Sequence, residues 1–169
     1  MRELKFTTVS VPPGTSFKEP HIMLATWFGA GLIRPAPGTM GTFAAVPLGY
    51  LIMVLGGQLG LFIASVILLI LGTIAADYYG TKSGVKDDQS IVVDEAVGVW
   101  IAALFAGTHI GLWLLAALLF RFFDIWKPWP ASLFDNRSRD GFDVMMDDVV
   151  AGVYALLGVS IVALYSYPS

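Results

Sequence analysis

Acidic side chains lie where apolar segments of this sequence begin. Asp94 and Glu95 lead directly into one apolar stretch, and Asp147 and Asp148 lead into another. A carboxylate inside an apolar segment is costly unless it is paired with a cation or bound to a metal. Acids at a helix N-terminus can also simply complement the helix dipole. Each pair therefore has a structural explanation and a chemical one.

A third group of charges combines both signs. Arg121, Asp124 and Lys127 are three residues apart, so they share one face of a helix. An ion-pair ladder would explain this spacing without any function. Five carboxylates at helix ends in one bundle would nevertheless repel one another unless a cation joined them. These predicted metal ligands are Asp94, Glu95, Asp124, Asp147 and Asp148.

Oxygen ligands of this kind suit Mg²⁺, which prefers to share its coordination with a phosphate. Neighbouring Arg and Lys side chains suit a phosphate monoester. The residues alone therefore predict metal-assisted chemistry on a phosphorylated lipid. A mechanism consistent with these residues and with the resemblance described below is hydrolysis, in which a water attacks phosphorus and Glu95 or Asp88 is the general base. An Asp nucleophile with a phospho-enzyme stays open as an alternative. The predicted catalytic residues are Asp88, Asp94, Glu95, Arg121, Asp124 and Lys127.

A loop rich in glycine and proline precedes the first apolar stretch. Glycine lets the backbone approach a ligand closely, and the helix N-terminus that follows favours an anion. The same residues would also form a tight turn capped by a threonine. The predicted substrate-binding residues are Arg34, Gly38, Thr39, Gly41 and Thr42.

The composition indicates the environment in which these residues work. The chain has 169 residues, of which 56% are apolar and 14% are charged, and its net charge is −3. Soluble domains are about 45–50% apolar and about 25% charged. These values argue against a soluble enzyme and against a nucleic-acid partner. The sequence has no cysteine, which excludes thiolate metal sites and cysteine nucleophiles.

Three charge-free stretches cover residues 35–76, 96–120 and 149–169. Apolar stretches of about 18 residues or more are candidates to span a membrane. The first stretch breaks at two glycines, so we predict a hairpin of helices at about 41–55 and 59–76. The last stretch predicts one span at 149–167.

The middle stretch is ambiguous. It could form one helix, or two helices at about 91–106 and 110–123 that turn at 107–109. Two helices would give five crossings and place every Lys, Arg and acid on one side, which the positive-inside rule makes cytoplasmic. One helix would give four crossings and leave Arg121 and Lys127 outside, so we favour five. The predicted fold is all-α: a compact integral membrane bundle of short helices with catalytic loops on the cytoplasmic face. Residues 29–169 form its single membrane-embedded domain, and residues 1–28 form a polar N-terminal arm.

Taken together, these motifs resemble the phosphatidylglycerophosphatase A family. The resemblance covers residues 29–152 and rests on 35–42 (PAPGTMGT), 93–95 (VDE) with Gly98 and Trp100, 120–124 (FRFFD), 127–130 (KPWP), 134–135 (FD), and Met145 with 147–152 (DDVVAG). It implies a Mg²⁺-dependent, multi-pass lipid phosphatase of the bacterial inner membrane, with its active site facing the cytoplasm. Such an enzyme removes the terminal phosphate of phosphatidylglycerophosphate to give phosphatidylglycerol. Asp140 and Asp143 stand where the family has glycines, which adds carboxylates near the predicted site.

Two other classes of function remain as alternatives. A membrane cation carrier would place carboxylates at mid-bilayer, whereas the predicted topology puts all thirteen acids at one face. A Mg²⁺-dependent lipid transferase with a nucleotide donor would need a nucleotide-binding pattern, which the sequence lacks.

Overall fold

Helices dominate the computed structural model, which describes residues 6–129 and 140–166. Residues 134–135 and Pro130 of the family motifs lie outside the described residues. The helices are α1 (Pro20–Ala25), α2 (Pro37–Ser83), α3 (Val93–Ala102), α4 (Ile110–Trp126) and α5 (Gly141–Ser166), with a 3-10 turn at Ala30–Leu32. Two short strands, β1 (Thr7–Thr8) and β2 (Ile33–Arg34), pair antiparallel with Thr7 opposite Arg34.

Helix α2 folds back on itself at Gly57. This glycine has φ 62° and ψ −163°, which is outside the helical region. A Cβ added to Gly60 would lie 3.8 Å from the carbonyl oxygen of Ile52. A straight helix would separate two residues eight positions apart by about 12 Å. The break predicted at 56–58 is therefore confirmed, and α2 consists of two arms that pack side by side.

The middle apolar stretch forms two helices, as the favoured interpretation predicted. Helix α3 ends at Ala102, and α4 begins at Ile110. The indole N–H of Trp113 donates to the carbonyl oxygen of Gly107 at 2.9 Å, which closes the turn between the helices. On the other side of α3, the indole N–H of Trp100 donates to the carbonyl oxygen of Ala45 at 2.9 Å. The Trp100 bond thereby ties α3 to α2, and the closed turn leads from α3 into α4.

Helix α3 lies at the centre of the molecule, and the long helices surround it. Eight of its ten residues are buried. Helices α2 and α5 are long and apolar enough to cross a membrane. They also carry large apolar side chains on the outside, such as Leu55 and Leu164. The charged ends of α3 and α5 are the exception to this apolar character, and they meet at one end of the molecule.

The segment before residue 29 contributes to the core. Ile22 and Ala25 of α1 are fully buried, and the N–H of Val92 donates to the carbonyl oxygen of Ala25 at 2.8 Å. The Trp27 ring packs edge-on against Trp100, with 5.6 Å between ring centroids. Residues 20–28 therefore belong to the packed unit, which the predicted polar arm does not anticipate.

Candidate active site

Two glycines let α3 and α5 touch backbone to backbone. A Cβ added to Gly152 would lie 2.6 Å from the carbonyl oxygen of Gly98 and 3.1 Å from its Cα. A Cβ added to Gly98 would lie 2.9 Å from the carbonyl oxygen of Asp148 and would overlap the ring of Phe120. All three distances are below ordinary contact, so only glycine fits at this crossing. One turn earlier on each helix stand the acidic residues.

The crossing brings three carboxylates together: Asp94 and Glu95 from α3, and Asp148 from α5. One oxygen from each lies within 4.8 Å of the other two. Glu95 and Asp148 are buried. Within the described part of the chain, Glu95 Oε2 is shielded from solvent and has no hydrogen-bond partner. Three mutually repelling carboxylates and an unpartnered buried oxygen fit a divalent cation, and their hard oxygen atoms suit Mg²⁺.

Arg121 in α4 and Lys127 at its C-terminal end form ion pairs with neighbouring acids. Arg121 Nη1 lies 2.6 Å from Asp124 Oδ2 and 3.5 Å from Glu95 Oε1. Lys127 forms a short ion pair with Asp147. Lys127 ends α4 in a left-handed conformation, with φ 47° and ψ 60°. Non-glycine residues rarely adopt this conformation, which marks Lys127 as a strained residue beside the carboxylates.

A cavity of about 330 Å³ opens above the three carboxylates, and we call it the acidic cavity. Among the described residues, Arg121, Lys127 and eight carboxylates line it. Carboxylates repel a phosphate group and attract a cation, so a cation that entered with the phosphate would ease its binding. The eight acids are Asp87, Asp88, Asp94, Glu95, Asp124, Asp143, Asp147 and Asp148.

All six predicted catalytic residues line the acidic cavity. The five predicted metal ligands also line it, but they form two groups with different neighbours. Asp94, Glu95 and Asp148 form the three-carboxylate cluster, whereas Asp124 and Asp147 face Arg121 and Lys127.

The predicted substrate-binding residues are brought together only in part. Gly38 and Thr39 line the acidic cavity. These residues lie in the first turns of α2, which begins at Pro37, and not in the predicted loop. A Cβ on Gly38 would overlap Glu95 Oε1 and lie 3.0 Å from Arg121 Nη1, so the backbone of the first turn touches this ion pair. Gly41 packs against Val92 instead, and the hydroxyl of Thr42 donates to the carbonyl oxygen of Gly38 at 2.9 Å. Gly41 and Thr42 therefore support the start of the helix and do not line the cavity.

Arg34 also lies outside the acidic cavity. Its guanidinium donates to the carbonyl oxygen of Gly31 at 2.8 Å and to Ser90 Oγ at 2.9 Å. We call these three residues the Arg34 clasp. The clasp borders a second cavity of about 270 Å³, and Asp88 lines both cavities. The N–H of Ser90 donates to Asp88 Oδ1 at 2.9 Å, so the clasp holds the loop that carries Asp88.

Sequence reasoning did not select Asp87 and Gln89, which also line the acidic cavity. They belong to an irregular loop before α3, where no helical spacing exists to assign a face. Asp143 was noted as an added carboxylate, and it is buried in the cavity wall. Its position one turn before Asp147 on α5 is the signal that places it there.

Comparison with known proteins identifies the family. A family model described as Phosphatidylglycerophosphatase A matches residues 23–163. The chain belongs to the phosphatidylglycerophosphatase A family. It is therefore a phosphatase, and the resemblance inferred from the motifs is confirmed. The match begins within α1, which agrees with the packing of that helix into the core.

Individual relatives support the family assignment. A Haemophilus influenzae protein named Phosphatidylglycerophosphatase A is 42% identical over 145 residues, which cover 85% of this chain and 89% of the relative. An Escherichia coli protein of the same name is 40% identical over 135 residues, covering 79% and 78%. A Bacteroides thetaiotaomicron protein provisionally named phosphatidylinositol-3-phosphatase is 35% identical over 147 residues, covering 83% and 91%. No solved structure matches the chain.

Proposed function

We propose that this chain hydrolyses the terminal phosphate of phosphatidylglycerophosphate, giving phosphatidylglycerol and phosphate, in a Mg²⁺-dependent reaction. The observation that carries the proposal is the cluster of Asp94, Glu95 and Asp148 in a cavity that also contains Arg121 and Lys127. Family membership supports the phosphatase activity, and the names of two relatives support the substrate.

Asp94, Glu95 and Asp148 are the residues that would hold Mg²⁺. Their oxygen atoms are close enough to share one cation, and Glu95 Oε2 lacks another partner among the described residues. When bound, Mg²⁺ supplies positive charge that polarises the phosphate and offsets the negative charge of the cavity.

The remaining side chains orient the phosphate and move protons. Arg121 and Lys127 neutralise charge that develops on the phosphate oxygens. The backbone at Gly38 and Thr39 forms the wall beside Glu95 and Arg121 and limits how the phosphate can turn. Asp88 lies apart from the three-carboxylate cluster, and we assign it as the base that takes a proton from the attacking water. The bond between phosphorus and the glycerol oxygen breaks, and that oxygen leaves as the hydroxyl of phosphatidylglycerol after it gains a proton.

We propose further that the bundle is a multi-pass protein of the bacterial inner membrane. The two arms of α2, with α3, α4 and α5, provide five segments, and the acidic cavity faces the cytoplasm. Helix α3 has ten residues and is about 15 Å long, which is less than the hydrocarbon core of about 30 Å. Because the other helices surround α3, most of its backbone is shielded from lipid. Irregular backbone at membrane depth is tolerated when protein covers it.

The test is phosphate release from phosphatidylglycerophosphate by the full chain, purified in detergent. We expect release with Mg²⁺ and loss of release with EDTA. Asp94→Asn should lower kcat by about 1000-fold, because it weakens the cation site without changing side-chain size. The matched control is Asp77→Asn: Asp77 is exposed, and its oxygen accepts the N–H of Gly141, a role that asparagine keeps. Release that resists EDTA, or full activity of Asp94→Asn, would contradict the proposal.

Phosphatidic acid and phosphatidylinositol 3-phosphate serve as competing substrates. Faster phosphate release from either lipid would make that lipid the preferred substrate and would leave the proposed phosphatase chemistry unchanged.

A further inference from the structure

The close contact between α3 and α5 fixes the distance between the carboxylates of the two helices. Gly98 and Gly152 leave the two backbones in direct contact, and a Cβ at Gly152 would lie 2.6 Å from the carbonyl oxygen of Gly98. Ordinary contact requires about 3.5 Å. A single methyl group at Gly152 would therefore push the helices apart by about 1 Å.

The carboxylates lie close to this contact. Asp94 precedes Gly98 by one helical turn, and Asp148 precedes Gly152 by one turn, a rise of about 6 Å on each helix. Both helices run in the same direction from the acidic end. A separation at the crossing is thus passed to the carboxylates almost undiminished, since one turn of helix does not bend appreciably.

The size of this displacement matches the difference between two common cations. Oxygen ligands lie about 2.0–2.1 Å from Mg²⁺ and about 2.3–2.6 Å from Ca²⁺. Across a cation, opposite ligands are therefore about 0.5–1 Å farther apart around Ca²⁺ than around Mg²⁺. A change of about 1 Å at the helix crossing is therefore enough to convert a ligand separation that suits Mg²⁺ into one that suits Ca²⁺.

We propose that the Gly98–Gly152 contact sets the separation of Asp94 and Glu95 from Asp148, and so selects Mg²⁺ over larger divalent cations. Gly98 and Gly152 are positioning residues, because they act through the carboxylates and touch neither cation nor substrate. The inference rests on the proposed cation site, for which the buried Glu95 Oε2, without a hydrogen-bond partner among the described residues, is an independent sign.

The experiment measures cation binding directly, by calorimetric titration of the detergent-purified full chain with Mg²⁺ and with Ca²⁺. Gly152→Ala should shift the ratio of the two dissociation constants at least tenfold towards Ca²⁺. The control is Gly158→Ala on the same helix, where the added Cβ would meet only the tip of Leu119, a side chain that can rotate away. This control should keep the ratio of the unmodified chain.

A rescue variant separates the spacing of the carboxylates from general damage. Asp148→Glu adds one methylene, which spans the gap that Gly152→Ala opens. The double variant should recover at least half of the lost Mg²⁺ preference on a logarithmic scale. If Gly152→Ala does not fold, Gly98→Ala with Phe120→Leu is the milder variant. Trimming Phe120 removes the overlapping ring and leaves the 2.9 Å contact with the Asp148 carbonyl oxygen as the force that separates the helices.

The outcomes distinguish the inference from the proposed function. A folded Gly152→Ala with an unchanged ratio, or a Gly158→Ala that shifts equally, overturns the inference while the Mg²⁺-dependent phosphatase stands. An unmodified chain that binds neither cation overturns both.

Discussion

The acidic cavity and the Arg34 clasp lie side by side, and both contain charged residues that the sequence marks as functional. In the clasp, the guanidinium donates to a carbonyl and a hydroxyl within the protein. Among the described residues, the cavity is lined by eight carboxylates and two cationic side chains, and Glu95 Oε2 has no hydrogen-bond partner. A polar group that is satisfied within the protein stabilises the fold, whereas a buried oxygen without a partner among the described residues marks a candidate ligand site.

An Arg-to-Gln substitution in each region tests this comparison, and we expect it to give the largest difference in activity. Arg121→Gln should lower kcat by about 100- to 1000-fold, because it removes positive charge beside the reacting phosphate. Arg34→Gln should lower kcat less than about tenfold and reduce the free energy of unfolding by about 1–2 kcal/mol, since it breaks two partly buried hydrogen bonds. Phosphate release and chemical denaturation in detergent measure the two quantities. A greater loss of activity in Arg34→Gln would return Arg34 to the predicted role in substrate binding.

Lys127 sharpens the comparison because its charge and its backbone can be tested separately. Lys127→Gly and Lys127→Ala both remove the ammonium group opposite Asp147, so both should lower kcat/KM by about tenfold to 100-fold. Lys127→Gly should be more stable than Lys127→Ala by about 1 kcal/mol, because glycine adopts the left-handed conformation without steric cost. Steady-state kinetics and denaturation provide the two readouts. Normal activity in Lys127→Gly would show that the ammonium group has no part in the reaction.

Thr42 should give the smallest effect, because its hydroxyl bonds the carbonyl oxygen of Gly38 one turn earlier in α2. Thr42→Val removes the hydrogen bond to Gly38 and should change kcat by less than about threefold, with a cost of about 1 kcal/mol in stability. Thr73→Val is the matched control, since Thr73 donates the same kind of bond to Leu69 within the same helix. If Thr42→Val lost far more activity than Thr73→Val, the hydroxyl would have to contact the substrate.

Features of the fold that depend on local chemistry were predictable from the sequence. The glycines at 56–57 and the turn at 107–109 interrupt apolar stretches, and the chain reverses or turns at both places. The ribbon between Thr7 and Arg34 and the burial of α1 had no such signal. Both depend on partners distant in sequence, such as Val92, whose N–H bonds Ala25.

The candidate site was predictable in its residue types but not in all of its pairings. Asp147 and Asp148 are consecutive, so on a helix they point about 100° apart and face different neighbours. The structure turns Asp148 towards α3 and Asp147 towards Lys127. The position of Arg34 outside the acidic cavity was not predictable for a related reason. Its partner Ser90 lies on a loop that only the tertiary fold brings near.

The contribution of α5 to the carboxylate cluster also has a consequence for biogenesis. Asp94 and Glu95 are synthesised well before Asp148, and the hairpin of α2 can insert while the later helices are still on the ribosome. With the proposed topology and cation site, the nascent chain acquires its first membrane helices early and its complete set of cation ligands last. A translation product that stops before Gly141 would then lack Asp148, so the proposed activity would require synthesis of α5.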